Sequence, residues 1–267
     1  MAGLLVLVAG LLVFSGTARS EMYVEGYIGG TQAANMGNDF DVNFSGILGP
    51  FITEKWKPTG KSDPAVIGGL KIGTWFVKEG FLGYNYPDWM KYLGFYLDFS
   101  YHRLDMRSQN VKYDTFFLGL NQGTAPSKIQ SEGAVATLAF MFAARYGFLP
   151  DSEVPFGRLQ PYLAVGPAVM FASMEPKTSY VNNTANVSGV NSFGSRSTAT
   201  ICLAAEAGLR WMALKNVSLD LSFKYRYAAP TFSFTGQDFS PAYGQDSFTF
   251  SPTYHLFSGQ LGAAYHF

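Results

Sequence analysis

Side chains that alternate in character over stretches too long for an ordinary soluble strand constrain this chain more than any other feature. From Leu93 to Arg103 the odd positions are Leu93, Phe95, Leu97, Phe99 and Tyr101, and the even ones Gly94, Tyr96, Asp98, Ser100 and His102. From Val217 to Tyr227 the odd positions are all apolar or aromatic, while Ser218, Asp220, Ser222, Lys224 and Arg226 fill the even ones. Successive strand side chains point to opposite faces, so each segment separates an apolar medium from a polar one. Six further segments, 22–31, 65–76, 133–145, 159–171, 197–211 and 254–267, show the period less cleanly. Each segment has about 10 to 15 residues, the length of a strand crossing a bilayer obliquely; strands of soluble sheets are nearer about 5 or 6.

Charged residues make up 14% of the chain and aromatics 16%, against about 25% charged in soluble domains. No apolar run of about 20 residues is available for a spanning helix, and a closed barrel is the other structure that pairs every backbone polar group in lipid. The expected fold is therefore all-β: one eight-stranded antiparallel up-and-down transmembrane β-barrel over residues 21–267, eight being an even number as bacterial barrels require. The links between segments support this, because long ones (32–64, 105–132, 173–196 and 228–253) alternate with shorter ones (77–91, 146–158 and 212–216). The long links are rich in Asn, Ser, Thr, Gly and Pro, the composition of surface loops, and the alternation places both termini in the periplasm. Pro161 and Pro167 predict a bulge or irregular pairing in the fifth strand.

Ahead of the barrel, Leu4 to Phe14 is an apolar run too short to span, followed by Ala18-Arg19-Ser20. This reads as a cleavable signal peptide over 1–20 with cutting before Glu21, although no Lys or Arg precedes the apolar run. Cys202 is the one cysteine, so no intramolecular disulfide exists and a buried filler role is expected. Nineteen basic and nineteen acidic residues balance, which argues against a nucleic-acid partner.

Charges within the strands fall on the polar face: Glu25, Lys71, Asp98, Arg145, Glu206, Arg210, Asp220, Lys224 and Arg226, with His102 beside them. A basic side chain on the lipid face would cost about 2–4 kcal/mol at the midplane, so these residues are expected inside. There they either pair across the lumen and plug it, or line a narrow polar path for small solutes. Asp98, Ser100 and His102 invite comparison with a hydrolytic triad, but alternate residues of one strand stand parallel, about 7 Å apart, and do not converge. The three scattered histidines have no metal-ligand spacing. No catalytic residue, metal or cofactor is expected.

Four stretches carry a resemblance: Tyr23-Val24-Glu25-Gly26-Tyr27-Ile28-Gly29-Gly30, Gly68-Gly69-Leu70-Lys71-Ile72-Gly73, Gly157 to Pro167, and Ala264-Tyr265-His266-Phe267. With them the mature chain resembles the outer-membrane β-barrel superfamily that includes the OmpA transmembrane domain, OmpX and OmpW. Leu261, Ala263, Tyr265 and Phe267, in phase on the last strand, resemble the C-terminal insertion signal read by the barrel assembly machinery. The resemblance implies a monomeric, non-enzymatic barrel in the bacterial outer membrane, among lipid and lipopolysaccharide. It also implies a structural or surface role, with OmpW-like passage of small hydrophobic molecules as one form. A lipid A-modifying barrel enzyme, acyltransferase or deacylase, is the alternative of a different class. The deacylase type has Ser two residues after its His, and here Leu104 follows His102 and Phe257 follows His255. An adhesin acting through the long loops is a third.

Overall fold

A computed structural model describes the chain apart from residues 1–20, 35, 37–39, 47–48, 59, 77–85, 183–186 and 237–244, so the expected signal peptide lies outside the described residues. The strands are β1 (Glu21–Ala34), β2 (Phe40–Gly46), β3 (Gly49–Trp56), β4 (Ala65–Trp75), β5 (Leu93–Arg103), β6 (Met106–Phe117), β7 (Leu120–Arg145), β8 (Leu159–Asn182), β9 (Val187–Ser192), β10 (Arg196–Leu214), β11 (Val217–Ala228), β12 (Phe232–Gly236), β13 (Gln245–Phe250) and β14 (Tyr254–His266). Eight of them, in the order β4-β1-β14-β11-β10-β8-β7-β5, form a ring of neighbours, and β5 pairs with β4 to close it. Every pairing is antiparallel. Closure removes the free edges that would leave backbone groups unpaired in lipid.

The ring strands coincide with the eight alternating segments, and their faces fall as the alternation requires. Along β5 the even positions from Gly94 to His102 are buried and the odd ones from Leu97 to Arg103 exposed. β14 meets β1 through the pairs from His266↔Tyr23 to His255↔Ala34. Phe267 adds a backbone bond of 2.9 Å to the carbonyl of Met22.

The long links differ from expectation: they are not irregular loops. β7 has 26 residues and β8 has 24, so both run far beyond the expected 133–145 and 159–171. β2 with β3, β6 with the first half of β7, β8 with β9, and β12 with β13 form hairpins. Three of these join edge to edge in the order β12-β13-β2-β3-β6-β7, continuing the wall past the barrel. Their apolar residues explain the ordering. Met106, Val111, Ile129, Phe232, Phe234 and Phe250 are buried in one core with Met36, Trp56 and Leu256, which supplies the driving force that a loop of polar residues lacks.

Of the bulge or irregular pairing expected in the fifth segment, there is no bulge, but the pairing is irregular on one side. Pro161 and Pro167 of β8 pair with Leu209 and Leu203 of β10 without a register shift. On the other side the ladder to β7 runs to Ala139↔Ala168 and resumes at Phe142↔Val165 in the same register. Proline has no N–H to donate, and the result is a local break opposite Phe140 and Met141. A Cβ added at Gly166 would lie 1.9 Å from the carbonyl oxygen of Phe140, so glycine lets the two strands close over the break.

Candidate functional site

The inward face of the eight strands supplies the candidate site. Strand pairing alone makes Glu25 a neighbour of Lys71, Lys71 of Asp98, Glu206 of Lys224, and Arg210 of Asp220. Three of these become ion pairs along the wall: Lys71–Glu25 at 2.8 Å, Lys224–Glu206 at 3.2 Å and Arg210–Asp220 at 3.4 Å. Three more cross the lumen: Lys71 to Glu206 at 2.7 Å, Arg210 to Glu25 at 2.7 Å, and Lys224 to Asp98. A continuous chain, Arg210–Glu25–Lys71–Glu206–Lys224–Asp98, therefore runs through side chains of five strands, with Glu25 at 0% and Lys71 at 1% exposure. Buried charges are tolerable only when paired, and these are.

Tyrosines complete the layer. Tyr27 donates to Asp98 at 2.6 Å and Tyr96 to Glu206 at 3.1 Å. Tyr162 lies 2.7 Å from Glu206 and 2.8 Å from Asp220. All three are in phase with polar-face residues in the sequence, Tyr27 with Glu25, Tyr96 with Asp98 and Tyr162 with Gln160, though none is among the expected site residues. Inward glycines make room for them. A Cβ at Gly69 would fall 2.3 Å from the Tyr27 ring, and one at Gly208 would fall 2.4 Å from that of Tyr162.

At the end of the barrel where β1 begins and β14 ends, Arg145 lies with its guanidinium 4.3 Å from the ring centre of Trp75 and 4.2 Å from that of Phe156. It pairs with Glu21 and donates to Gln160 at 3.0 Å. Glu21 is a site residue that sequence reasoning missed, because it sits at the expected cleavage boundary. Outside the spanning strands, Asp151 accepts from the backbone N–H of Val154 at 2.8 Å and of Glu153 at 2.9 Å, and pairs with Arg158. The Val154 N–H first, then the Arg158 guanidinium and the Glu153 N–H, hold its carboxyl below the usual range.

Towards the other end of the bore, Arg226 donates to Ser100 at 3.2 Å, Thr137 at 3.3 Å and Ser258 at 3.2 Å. His102 bonds through Nδ1 to the carbonyl of Arg103 at 2.8 Å. Asp98, Ser100 and His102 thus each engage a different partner. Among the described residues no group of three or more His, Cys, Asp or Glu could hold a metal ion. Cys202 is a buried free thiol.

The outside of the ring is the reverse of its inside. Leu97, Phe99, Leu138, Phe142, Leu163, Leu219, Leu221 and Phe223 all face outward and are exposed. So are Leu261, Ala263, Tyr265 and Phe267, the expected insertion signal. A groove of about 560 Å³ on this wall lies where Ala144, Ala205 and Ala207 stand between Phe142, Leu163 and Phe223. A girdle of exposed leucine and phenylalanine around a bore of paired charges suits a solvent that is hydrocarbon outside, which is how bacterial outer-membrane barrels are built. The chain is a closed, eight-stranded transmembrane β-barrel.

No protein-family model matches this sequence, and no curated protein does. Solved structures share the outline of the barrel. OprG of Pseudomonas aeruginosa, an outer-membrane protein, is 15% identical with a TM-score of 0.44, over 94% of this chain and 98% of that one. A major outer-membrane protein of Thermus thermophilus is 12% identical with a TM-score of 0.45, over 93% and 100%. Neisserial surface protein A is 13% identical with a TM-score of 0.39, over 92% and 95%.

Proposed function

We propose that this barrel is a plugged, non-enzymatic anchor of the bacterial outer membrane that holds an ordered β-platform on the outer surface. The observation that carries the reading is the chain of ion pairs from Arg210 to Asp98, which fills the bore with side chains bonded to one another. An eight-stranded ring is about wide enough to be filled in this way. The long hairpins at the end away from the start of β1 and the end of β14 face outward from the cell, and their buried apolar core makes them a fixed surface for contacts. Lipopolysaccharide is the neighbour expected around the girdle, and the in-phase residues ending at Phe267 are the expected contact for the assembly machinery. The test is planar-bilayer conductance of the purified, folded protein. The plug predicts no steady current, and a steady ohmic current from the intact barrel overturns it.

A second reading, passage of small hydrophobic molecules, has one observation in its favour. The bore beyond the plug is lined by Met170, Ala172, Met174, Tyr254 and Leu256, all buried and apolar or aromatic. Entry of an apolar dye into vesicles with an outer leaflet of lipopolysaccharide, faster with the protein than without it, would favour this reading over a purely architectural one.

A further inference from the structure

The hairpin of β6 and β7 ends in a feature that the fold does not require. Its two-residue turn is Leu118-Gly119, closed by Phe117↔Leu120, and both turn residues have positive φ, 49° and 81°. Such turns favour Asn-Gly, because asparagine and glycine accept the left-handed region and a leucine side chain does so at a cost. Leu118 offsets none of that cost by packing, since it is 71% exposed. Beside it Leu120 is 69% and Phe117 44% exposed. A strained, outward-pointing leucine with apolar neighbours is an observed outlier, and outliers of that kind cluster where a protein binds something.

The position of the tip separates it from the lipid girdle. On β7 the exposed Leu138 marks the girdle, and Leu120 lies about 18 positions further along, roughly 60 Å of strand and about 45 Å along the barrel axis at a tilt of about 40°. Between them the exposed side chains are Asn121, Gln122, Thr124, Pro126, Lys128 and Glu132. A polar stem therefore lifts an apolar tip clear of the protein's own membrane. Leu149, the other described non-glycine residue with positive φ (58°), is different. It follows exposed Tyr146 and Phe148 in the turn at the end where β1 begins and β14 ends, next to the girdle. As the end of a two-residue turn the tip offers no pocket of its own, so a partner would have to surround it. Hydrocarbon does this without a matching shape, and Phe117, Leu118 and Leu120 are the residue types that the girdle presents to lipid.

From these observations we infer that the β6–β7 tip inserts into the hydrocarbon of a second, apposed lipid surface. The inference deepens the platform reading and rests on it for the outward direction of the hairpins. Its test uses the full mature chain in lipid nanodiscs, with a Gln122→Cys variant carrying an environment-sensitive dye, mixed with phosphatidylcholine vesicles with and without phosphatidylserine. Wild type is expected to bind both vesicle types and shift the dye to the blue. Leu118→Asn, which suits the turn backbone, and Leu120→Asn are each expected to weaken binding about tenfold, with folding checked by heat-dependent gel mobility. Binding that needs phosphatidylserine would assign the contact to Lys112 and Lys128 and overturn insertion. Absence of wild-type binding to either vesicle, as expected if the partner were a protein, would also overturn it, and so would unchanged binding by both variants. Bilayer conductance leaves this result untouched, so failure of the plug and failure of the tip are distinguishable.

Discussion

Replacing Glu206 by glutamine tests the lumen where it is most crowded. The carboxylate receives Lys71 at 2.7 Å, Tyr162 at 2.7 Å and Tyr96 at 3.1 Å, and lies 3.2 Å from the Lys224 ammonium. Glu206→Gln keeps the shape but removes the charge, and its NH₂ group turns a donor towards donors. Removing one partner of a buried ion pair costs about 3–5 kcal/mol, a large share of the roughly 5–15 kcal/mol that holds a typical domain together. Urea unfolding in lipid vesicles, followed by tryptophan fluorescence and extrapolated linearly, would read the loss. The double variant Glu206→Gln with Lys71→Met completes a cycle, and the coupling should be about 1–3 kcal/mol because the two residues share one network. A loss below about 1 kcal/mol with negligible coupling would mean that water solvates Glu206 as it would a surface carboxylate. That outcome would refute the dry, charge-paired lumen and the plug built on it.

Two other predictions probe the wall and the turn below it. Gly166→Ala should destabilise by about 1–3 kcal/mol, because its Cβ meets backbone at Phe140, whereas Gly26→Ala has nothing within 4 Å of the new atom and should stay within about 0.5 kcal/mol in the same assay. The lowered Asp151 carboxyl stabilises its turn at neutral pH, and that contribution is lost as pH falls through its folded-state value, so the Val154 amide resonance should titrate with a midpoint below the reference 3.8; a midpoint at or above 3.8 would refute the cap.

Much of this was legible because the membrane imposes one rule on every spanning strand. Leu93 to Arg103 and Val217 to Tyr227 kept their alternation through the whole bilayer, and all nine strand charges assigned to the inner face are buried there. Charge partners on adjacent strands follow once register is known, as with Glu25 and Lys71. The pairs across the bore, such as Arg210 with Glu25 and Lys224 with Asp98, depend on how far the ring is sheared, and no local pattern encodes that. Glu21 was lost to a targeting signal read up to Ser20. Tyr27, Tyr96 and Tyr162 could have been found: a tyrosine in phase with charged residues, on a face that must be polar, is a hydroxyl donor.

The long hairpins escaped notice for a different reason, visible along β7. Odd positions face inward over the whole buried stretch from Ile129 to Arg145. At the level of lipid the outward residues are Leu138, Phe140 and Phe142, and Thr137 and Arg145 lie inside. Further out the outward residues are Thr124, Lys128 and Glu132, and Ile129 lies inside. The period of two is unbroken while its polarity inverts, because the outer solvent changes from hydrocarbon to water and the interior changes from polar plug to apolar core. A search for greasy-out strands sees the signal fade near residue 133 and reports a loop. The same inversion recurs on β8, where Gln160 and Tyr162 face the plug, and Met174 faces the outer core between the outward Ser173 and Glu175. The crossover therefore marks where the bilayer ends, and it makes the apolar residues at 117–120, outside that boundary and on the wet side of the wall, the part of the surface that water does not account for.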